Sequence, residues 1–126
     1  MLLVSASQDD KVVRFAIDEE SGRLRPAGAY EVPGGPMPMA LSPDGATLYV
    51  SNWGGRRPEE GERTAPSSGT PVLVDERGVA SSGTVGKVDL DLGAMVAEVA
   101  TGLHPSDLVL DAGASRLYVT NANSDT

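Results

Sequence analysis

The feature that most constrains the fold of this chain is an internal repeat. When Pro36 is aligned with Pro105, residues 36–52 and 105–121 match without a gap, and the two copies end in LYVSN and LYVTN. In each copy an apolar trio and this Leu-Tyr-Val segment flank a polar, glycine-containing stretch, SPDGAT or DAGASR. Apolar runs joined by a short turn of this composition are typical of a β-hairpin. Each copy is therefore predicted to supply two antiparallel strands.

Further strand candidates extend the repeat. Residues 11–18 and 84–90 occupy equivalent places, and each is followed by a turn, EESG or DLG. A fourth candidate comes next, at residues 24–32 in one case and 94–100 in the other. The predicted unit is a four-stranded antiparallel meander of roughly 40 residues, which is the period of β-propeller blades.

This unit predicts an all-β fold built from β-propeller blades. Residues 1–33 are the end of one blade, residues 34–101 form a blade with a long loop inserted at 53–83, and residues 102–126 supply the first hairpin of the next blade. About two blades are present, whereas a closed propeller needs at least about four. We therefore expect an open part of a larger propeller, either as a fragment or as one protomer of an assembled ring. The uncovered blade faces should make the isolated chain associate.

Charge and composition exclude several function classes. The chain carries a net charge of −8, and the basic pair Arg56-Arg57 is followed at once by acidic residues. A field of that sign repels phosphate backbones, so nucleic acid is not an expected partner. No cysteine is present, no apolar run is long enough to span a bilayer, and the amino-terminal MLLVSASQDDK does not resemble a signal peptide.

The repeated segments also carry a family resemblance. PMPMALSPDGATLYVSN and HPSDLVLDAGASRLYVTNANSDT resemble the YVTN repeats of YncE-like bacterial β-propellers. VVRFAIDEESGRL, taken with SPDGATLYVSN, is also similar to lactonase-type seven-bladed propellers of the 6-phosphogluconolactonase-like group. Several YncE-like proteins carry a C-terminal phosphoesterase domain of the alkaline-phosphatase type, and NWGGRRPEEGERTAPSSGT resembles the form found there. The resemblance implies a propeller fold and, because such proteins are often exported, a periplasmic or exported location.

The catalytic residues that this resemblance would imply do not carry over. Lactonase-type propellers tend to place a basic residue and a histidine where this chain has Met37 and Pro38. The only histidine, His104, has no evident acid–base partner in the sequence, and nothing resembles the Asp and His cluster of a phosphoesterase metal site. No catalytic residue, cofactor or metal ligand is therefore predicted within this chain.

The insertion at 53–83 supplies most of the candidate binding residues. Trp53 could serve as a platform beside Arg56 and Arg57, which together would bind a small anionic or sugar-like ligand. Alternatively, Trp53 caps the blade core and the arginines pair with nearby glutamates. His104 is a fourth candidate. Within the insertion, apolar segments around residues 75–77 predict an extra hairpin, whereas EEGER has the composition of a disordered loop.

Two further expectations concern the end of the matched strands. Asn52 and Asn121 end equivalent strands, where an amide side chain can satisfy backbone groups of the turn. Beyond them the two copies are expected to part, because Trp53-Gly54-Gly55 opens the insertion while residues 122–124 lead into a short turn.

The function predicted from these observations is that of a non-catalytic propeller segment. It would act as a scaffold or binding module, with the remaining propeller blades or an adjacent enzyme domain as partners. The alternative is a fragment of a lactonase-like hydrolase, or of a propeller–phosphoesterase, whose catalytic residues lie outside this chain.

Overall fold

The chain folds into several antiparallel β-sheets, in agreement with the predicted all-β class. A computed structural model describes residues 1–111, 113 and 115–124. The predicted turn DAGASR and the predicted segment 102–126 therefore lie partly outside the described residues. Among the described residues, the only helical element is a short 3-10 turn at Ser7–Asp9.

The first two sheets are antiparallel meanders. In the first sheet the strands follow one another in the order β1-β2-β3. These strands are β1 (Leu2–Ala6), β2 (Lys11–Ile17) and β3 (Leu24–Glu31). The second sheet has the order β4-β5-β8-β9 and is the four-stranded unit predicted from the repeat. Its strands are β4 (Pro36–Leu41), β5 (Thr47–Asn52), β8 (Thr84–Asp89) and β9 (Ala94–Ala100).

Two separate hairpins complete the structure. The first lies inside the insertion and pairs β6 (Thr64–Ser67) with β7 (Thr70–Leu73). The second pairs β10 (Pro105–Leu110) with β11 (Leu117–Asn121), as the repeat predicts. Strand β10 packs against β4 and β5, whereas β1 packs against β4 and β3 against β9. The two larger sheets and the last hairpin therefore lie side by side.

The hairpin of the insertion differs from the predicted one. Val72 and Leu73 pair with residues of β6, so they belong to a hairpin that the sequence analysis missed. The predicted turn around residues 75–77 is present, but only one antiparallel bridge, between Val74 and Ala80, closes it. The signal for the longer hairpin was Ser68-Gly69, whose positive φ angles of 47° and 90° match the two-residue turn that joins antiparallel strands.

The main core lies between the first and second sheets. Val12 and Tyr30 of the first sheet form one buried cluster with Leu48, Val50 and other residues of the second. Leu48 is 1% exposed and Val50 is fully buried. Because side chains of a strand alternate between its two faces, Tyr49 points the other way. It lines a groove shared with the last hairpin.

The two outer faces of the stack carry exposed apolar side chains. Strand β1 of the first sheet is equivalent to β5 of the second. The β1–β2 ladder ends at the pair Ala6–Lys11, and the β5–β8 ladder ends at the pair Asn52–Thr84, so Ala6 corresponds to Asn52. Leu2 and Val4, which correspond to Leu48 and Val50, are 37% and 41% exposed. At the opposite side, Val109 and Tyr118 of the last hairpin are 60% and 57% exposed. Burial of one repeated position thus depends on whether another sheet lies against it.

Candidate binding site

The candidate residues lie in loops that gather at one end of the sheets. The insertion starts where β5 ends, and β4 begins at the same end because it is antiparallel to β5. The connection from β9 to β10, which contains His104, reaches this end as well, since Pro105 pairs with Asn121 at the end of β11. The sheets thus bring together loops that are far apart in the sequence.

The backbone of these loops repeats further than the sequence analysis predicted. Trp53 N donates to the carbonyl oxygen of Gly35 at 3.2 Å, and Ala122 N donates in the same way to His104 at 2.9 Å. Gly35 and His104 both have positive φ, at 66° and 53°. The pattern continues in the pairs Gly54–Gly34 and Asn123–Leu103, and in Gly55–Asn52 and Ser124–Asn121. The two copies therefore share these hydrogen bonds for three residues past Asn52, beyond the predicted point of divergence at Trp53. Their backbones still differ there, because Gly34 and Gly55 have positive φ, at 67° and 79°, and Leu103 and Ser124 do not.

Trp53 and His104 form a stacked pair across two sheets. Their ring centroids are 4.0 Å apart and the planes differ by 2°. Trp53 follows β5 of the second sheet, whereas His104 precedes β10 of the last hairpin. Parallel stacking of two flat rings removes apolar surface from water on both of them. The pair therefore joins the second sheet to the last hairpin at the loop end.

Among the described residues, no carboxylate contacts the ring of His104. Its Nδ1 lies within hydrogen-bond distance of the Asn123 amide nitrogen. Its Nε2 is buried without a hydrogen-bond partner among the described residues. A general base of the serine-hydrolase kind is oriented by a carboxylate on its second nitrogen. Here the Asn123 amide lies at Nδ1, and this contact helps to fix the orientation of the ring.

Asn52 has a different partner from the one predicted. Its amide nitrogen donates to the hydroxyl oxygen of Thr84 at 3.0 Å, and that hydroxyl donates to Glu98 at 2.6 Å. The expectation that Asn52 satisfies backbone groups of the turn is therefore wrong for its amide nitrogen. The contact instead connects β5, β8 and β9 through their side chains.

Arg56 is held by an ion pair within the insertion. Its two terminal nitrogens donate to the two carboxylate oxygens of Glu62 at 2.8 and 2.5 Å. This bidentate contact, together with a hydrogen bond from the backbone N–H of Glu59, lowers the pKa of Glu62 to about 2. The same contact raises the pKa of Arg56. Arg56 thus follows the alternative in which the arginines pair with glutamates, and the EEGER segment contains a defined contact.

Arg57 lies apart from the stacked pair. Its exposed side chain borders a shallow depression that also contains Glu31 and Glu98. Glu31 is paired with Lys11, and Glu98 offsets the charge of Arg57, so the depression offers an anionic ligand no excess of positive charge. The structure therefore brings Trp53 and His104 together but does not add Arg56 or Arg57 to them as a shared anion site.

A cleft of about 180 Å³ is also lined by Trp53 and was not foreseen from the sequence. One wall comes from the ends of the first two sheets and the other from the hairpin β6–β7. The lining residues are Ser7, Gly34, Gly35, Met37, Trp53, Ser67, Ser68, Thr70 and Val72. Of the four residues proposed from the sequence, only Trp53 borders this cleft.

Comparisons with known proteins do not assign the chain to a family. No protein-family model matches it, and no curated protein matches it significantly. Within residues 1–111, 113 and 115–124, no group of three or more His, Cys, Asp or Glu side chains is arranged to hold a metal ion. That part of the chain also lacks any helix with the length and apolar character required to cross a membrane.

Proposed function

We propose that the chain forms blades of a β-propeller of the YncE-like, YVTN-repeat kind and acts as a non-catalytic scaffold and binding module. Further sheets of the same repeat cover its two outer faces, and the loop end of the sheets is the surface that binds. An adjacent enzyme domain is the second kind of partner that this arrangement suits.

One observation carries the proposal: the exposed fraction of a repeated side chain is smaller where a neighbouring sheet packs against it. Leu48 is 1% exposed where a sheet precedes it, whereas its counterpart Leu2 is 37% exposed where none does. The corresponding residue of the last hairpin, Leu117, is half-buried in the groove beside the second sheet. A further sheet against β1 would give Leu2 the surroundings of Leu48. This regularity is expected of stacked repeats, in which each unit contacts only its neighbours.

The environment of His104 supports the non-catalytic part of the proposal. The ring stacks on Trp53, and Nδ1 faces an amide rather than a carboxylate. General acid–base catalysis needs a titrating group whose partner tunes and orients it. The contacts of His104 instead suit a structural ring at the junction between two sheets.

Sedimentation of the chain tests whether the outer faces bind further sheets. The wild-type chain is expected to associate at micromolar concentration, because each outer face exposes at least two large apolar side chains. Tyr118→Ser and Val109→Thr on one face, and Val4→Thr on the other, should each shift the equilibrium toward monomer. Leu92→Ser is the matched control, since Leu92 is 73% exposed but lies in the turn between β8 and β9. A wild-type chain that stays monomeric at these concentrations would contradict the stacking proposal.

A hydrolysis assay tests the non-catalytic part independently. Incubation with neutral and phosphorylated sugar δ-lactones is expected to give the same rate for the wild-type chain and for His104→Ala. A wild-type rate above background that disappears in His104→Ala would contradict the non-catalytic part of the proposal.

A further inference from the structure

The cleft lined by Trp53 reflects a difference between two equivalent junctions, which are the contacts between loops of neighbouring sheets. One junction joins the first sheet to the second at Ser7 and Gly35, and the other joins the second sheet to the last hairpin at Trp53 and His104. Ser7 follows the last residue pair of the β1–β2 ladder, as Trp53 follows the last pair of the β5–β8 ladder. Gly35 precedes Pro36, as His104 precedes the repeat-equivalent Pro105. Ser7 contacts this loop directly, since its hydroxyl donates to the carbonyl oxygen of Pro36 at 2.5 Å. Ser7 and Gly35 therefore stand where the next junction has two stacked aromatic rings.

This replacement leaves unfilled space between the first and second sheets. A serine and a glycine occupy far less volume than an indole and an imidazole. Native interiors are packed densely, so a gap of about 180 Å³ is unusual. The equivalent space at the other junction is occupied by the stacked rings of Trp53 and His104. The space is large enough for one ring and too small for a typical drug-sized ligand.

The insertion forms an anchored wall over this space. Thr70 of β7 donates to the carboxylate of Asp10 at 3.3 Å, and the same carboxylate oxygen accepts the N–H of Gly35 at 2.9 Å. Val72 packs so closely on Gly54 that a Cβ added to Gly54 would overlap the valine side chain. The hairpin β6–β7 is therefore fixed to both sheets at the mouth of the cleft.

The lining of the cleft suits an uncharged ligand with one apolar face. The Trp53 indole, Met37 and Val72 supply apolar surface, and no lining residue is charged. Ser67 and Ser68 also line the cleft, and each supplies a hydroxyl that can donate and accept a hydrogen bond. Small-molecule sites commonly combine an aromatic surface with a few polar groups that fix orientation.

We propose that this cleft binds a single ring of a neutral saccharide. The C–H face of the sugar ring packs on the Trp53 indole, and the ring hydroxyls meet the hydroxyls of Ser67 and Ser68. The inference rests on the proposed binding role and extends it to a site and a ligand class. The proposed site differs from the ligand site predicted from the sequence, which combined Trp53 with Arg56 and Arg57. Arg56 is paired with Glu62, and neither arginine lines the cleft.

Titration with sugars tests this site in the full chain. The probes are methyl glycosides of neutral hexoses and pentoses, with glucuronate as a charged analogue. Trp53 is the only tryptophan, so its emission reports binding, and calorimetry supplies an independent affinity. Ser7→Leu and Ser67→Leu fill the cleft from opposite walls. Each is expected to weaken binding by up to about tenfold, the upper end of what one stacked ring contact contributes.

The control variant for this experiment is Arg57→Ala, which should leave the affinity for neutral sugars unchanged. Circular dichroism identifies any variant that fails to fold, and having two filling variants keeps the test decisive. The proposal is overturned if no neutral glycoside binds the folded wild-type chain saturably. It is equally overturned if folded Ser7→Leu and Ser67→Leu bind normally, or if glucuronate binds more tightly and depends on Arg57. Sedimentation reports sheet stacking alone, so failure of this site is distinguishable from failure of the proposed fold.

Discussion

One leucine occurs at the same repeated position in three sheets, which allows one substitution to be compared in three environments. Leu48 is 1% exposed, Leu117 is half-buried, and Leu2 is 37% exposed. Leu→Ala removes three carbons, worth about 2.4 kcal/mol of transfer free energy at full burial. At Leu48 the enclosed cavity adds to this, so Leu48→Ala should lower the free energy of unfolding by about 3–5 kcal/mol.

The same substitution should cost much less on the outer face. Leu2 keeps roughly two-thirds of its surface from water, so the transfer cost of Leu2→Ala is about 1.5 kcal/mol. No enclosed cavity forms there, because solvent reaches the vacated space. Leu117→Ala should lie between the two values. The order Leu48, Leu117, Leu2 is the expected outcome, with a difference of about 2 kcal/mol between its extremes.

Urea unfolding followed by Trp53 emission and circular dichroism measures these differences. The measurement belongs at a concentration where the chain is monomeric, since association would stabilise the folded state and protect Leu2. Equal losses for Leu2→Ala and Leu48→Ala in the monomer would refute the assignment of β1 to an uncovered face. A loss for Leu2→Ala that grows with protein concentration would instead show that face being covered by another copy.

Two further predictions concern the insertion and the close approach of its backbone. The pKa of Glu62 is lowered from 4.5 to about 2, so the ion pair with Arg56 stabilises the insertion above pH 4.5 and is lost as pH falls toward 2. A carbon-13 titration of the Glu62 carboxyl with its midpoint near 4.5 would contradict the pair. Glu62→Gln should remove only the part of the acid-induced loss of stability that comes from Glu62. A Cβ at Gly34 would overlap the carbonyl oxygen of Gly55, whereas one at Gly61 meets nothing. Since both glycines have positive φ, thermal unfolding should show Gly34→Ala to be roughly 1–3 kcal/mol more destabilising than Gly61→Ala.

The strands could be predicted from the sequence because their pattern is local and occurs twice. Alternation of apolar residues and a polar turn between them define each hairpin without reference to the rest of the chain. The predicted strand at residues 94–100 agrees with β9, Ala94–Ala100. The hairpin β6–β7 was missed because Pro66 and Pro71 interrupt its strands and β-propensity arguments discount proline.

The site was less predictable because its residues meet only through the tertiary structure. Trp53 and His104 are distant in sequence, and nothing in either segment indicates that their rings stack. The charge pattern did indicate that the arginines have glutamate neighbours, and Arg56 follows it with Glu62. The cleft could not be foreseen at all, since it depends on the small side chains of Ser7 and Gly35 facing a hairpin from another part of the chain.

Repetition of the backbone together with variation of the side chains explains where binding should occur in such a fold. The hydrogen bonds from Trp53 to Gly35 and from Ala122 to His104 give the two loop ends the same backbone pairing. Because backbone groups make this pairing, the side chains at each junction can differ while the sheets stay the same. A ring pair closes one junction, and a serine with a glycine opens the other. The strands therefore maintain the stack, and the pair of side chains at a junction decides how it is filled. Trp53 and His104 close one junction, whereas Ser7 and Gly35 leave a cleft beneath the hairpin β6–β7 at the other.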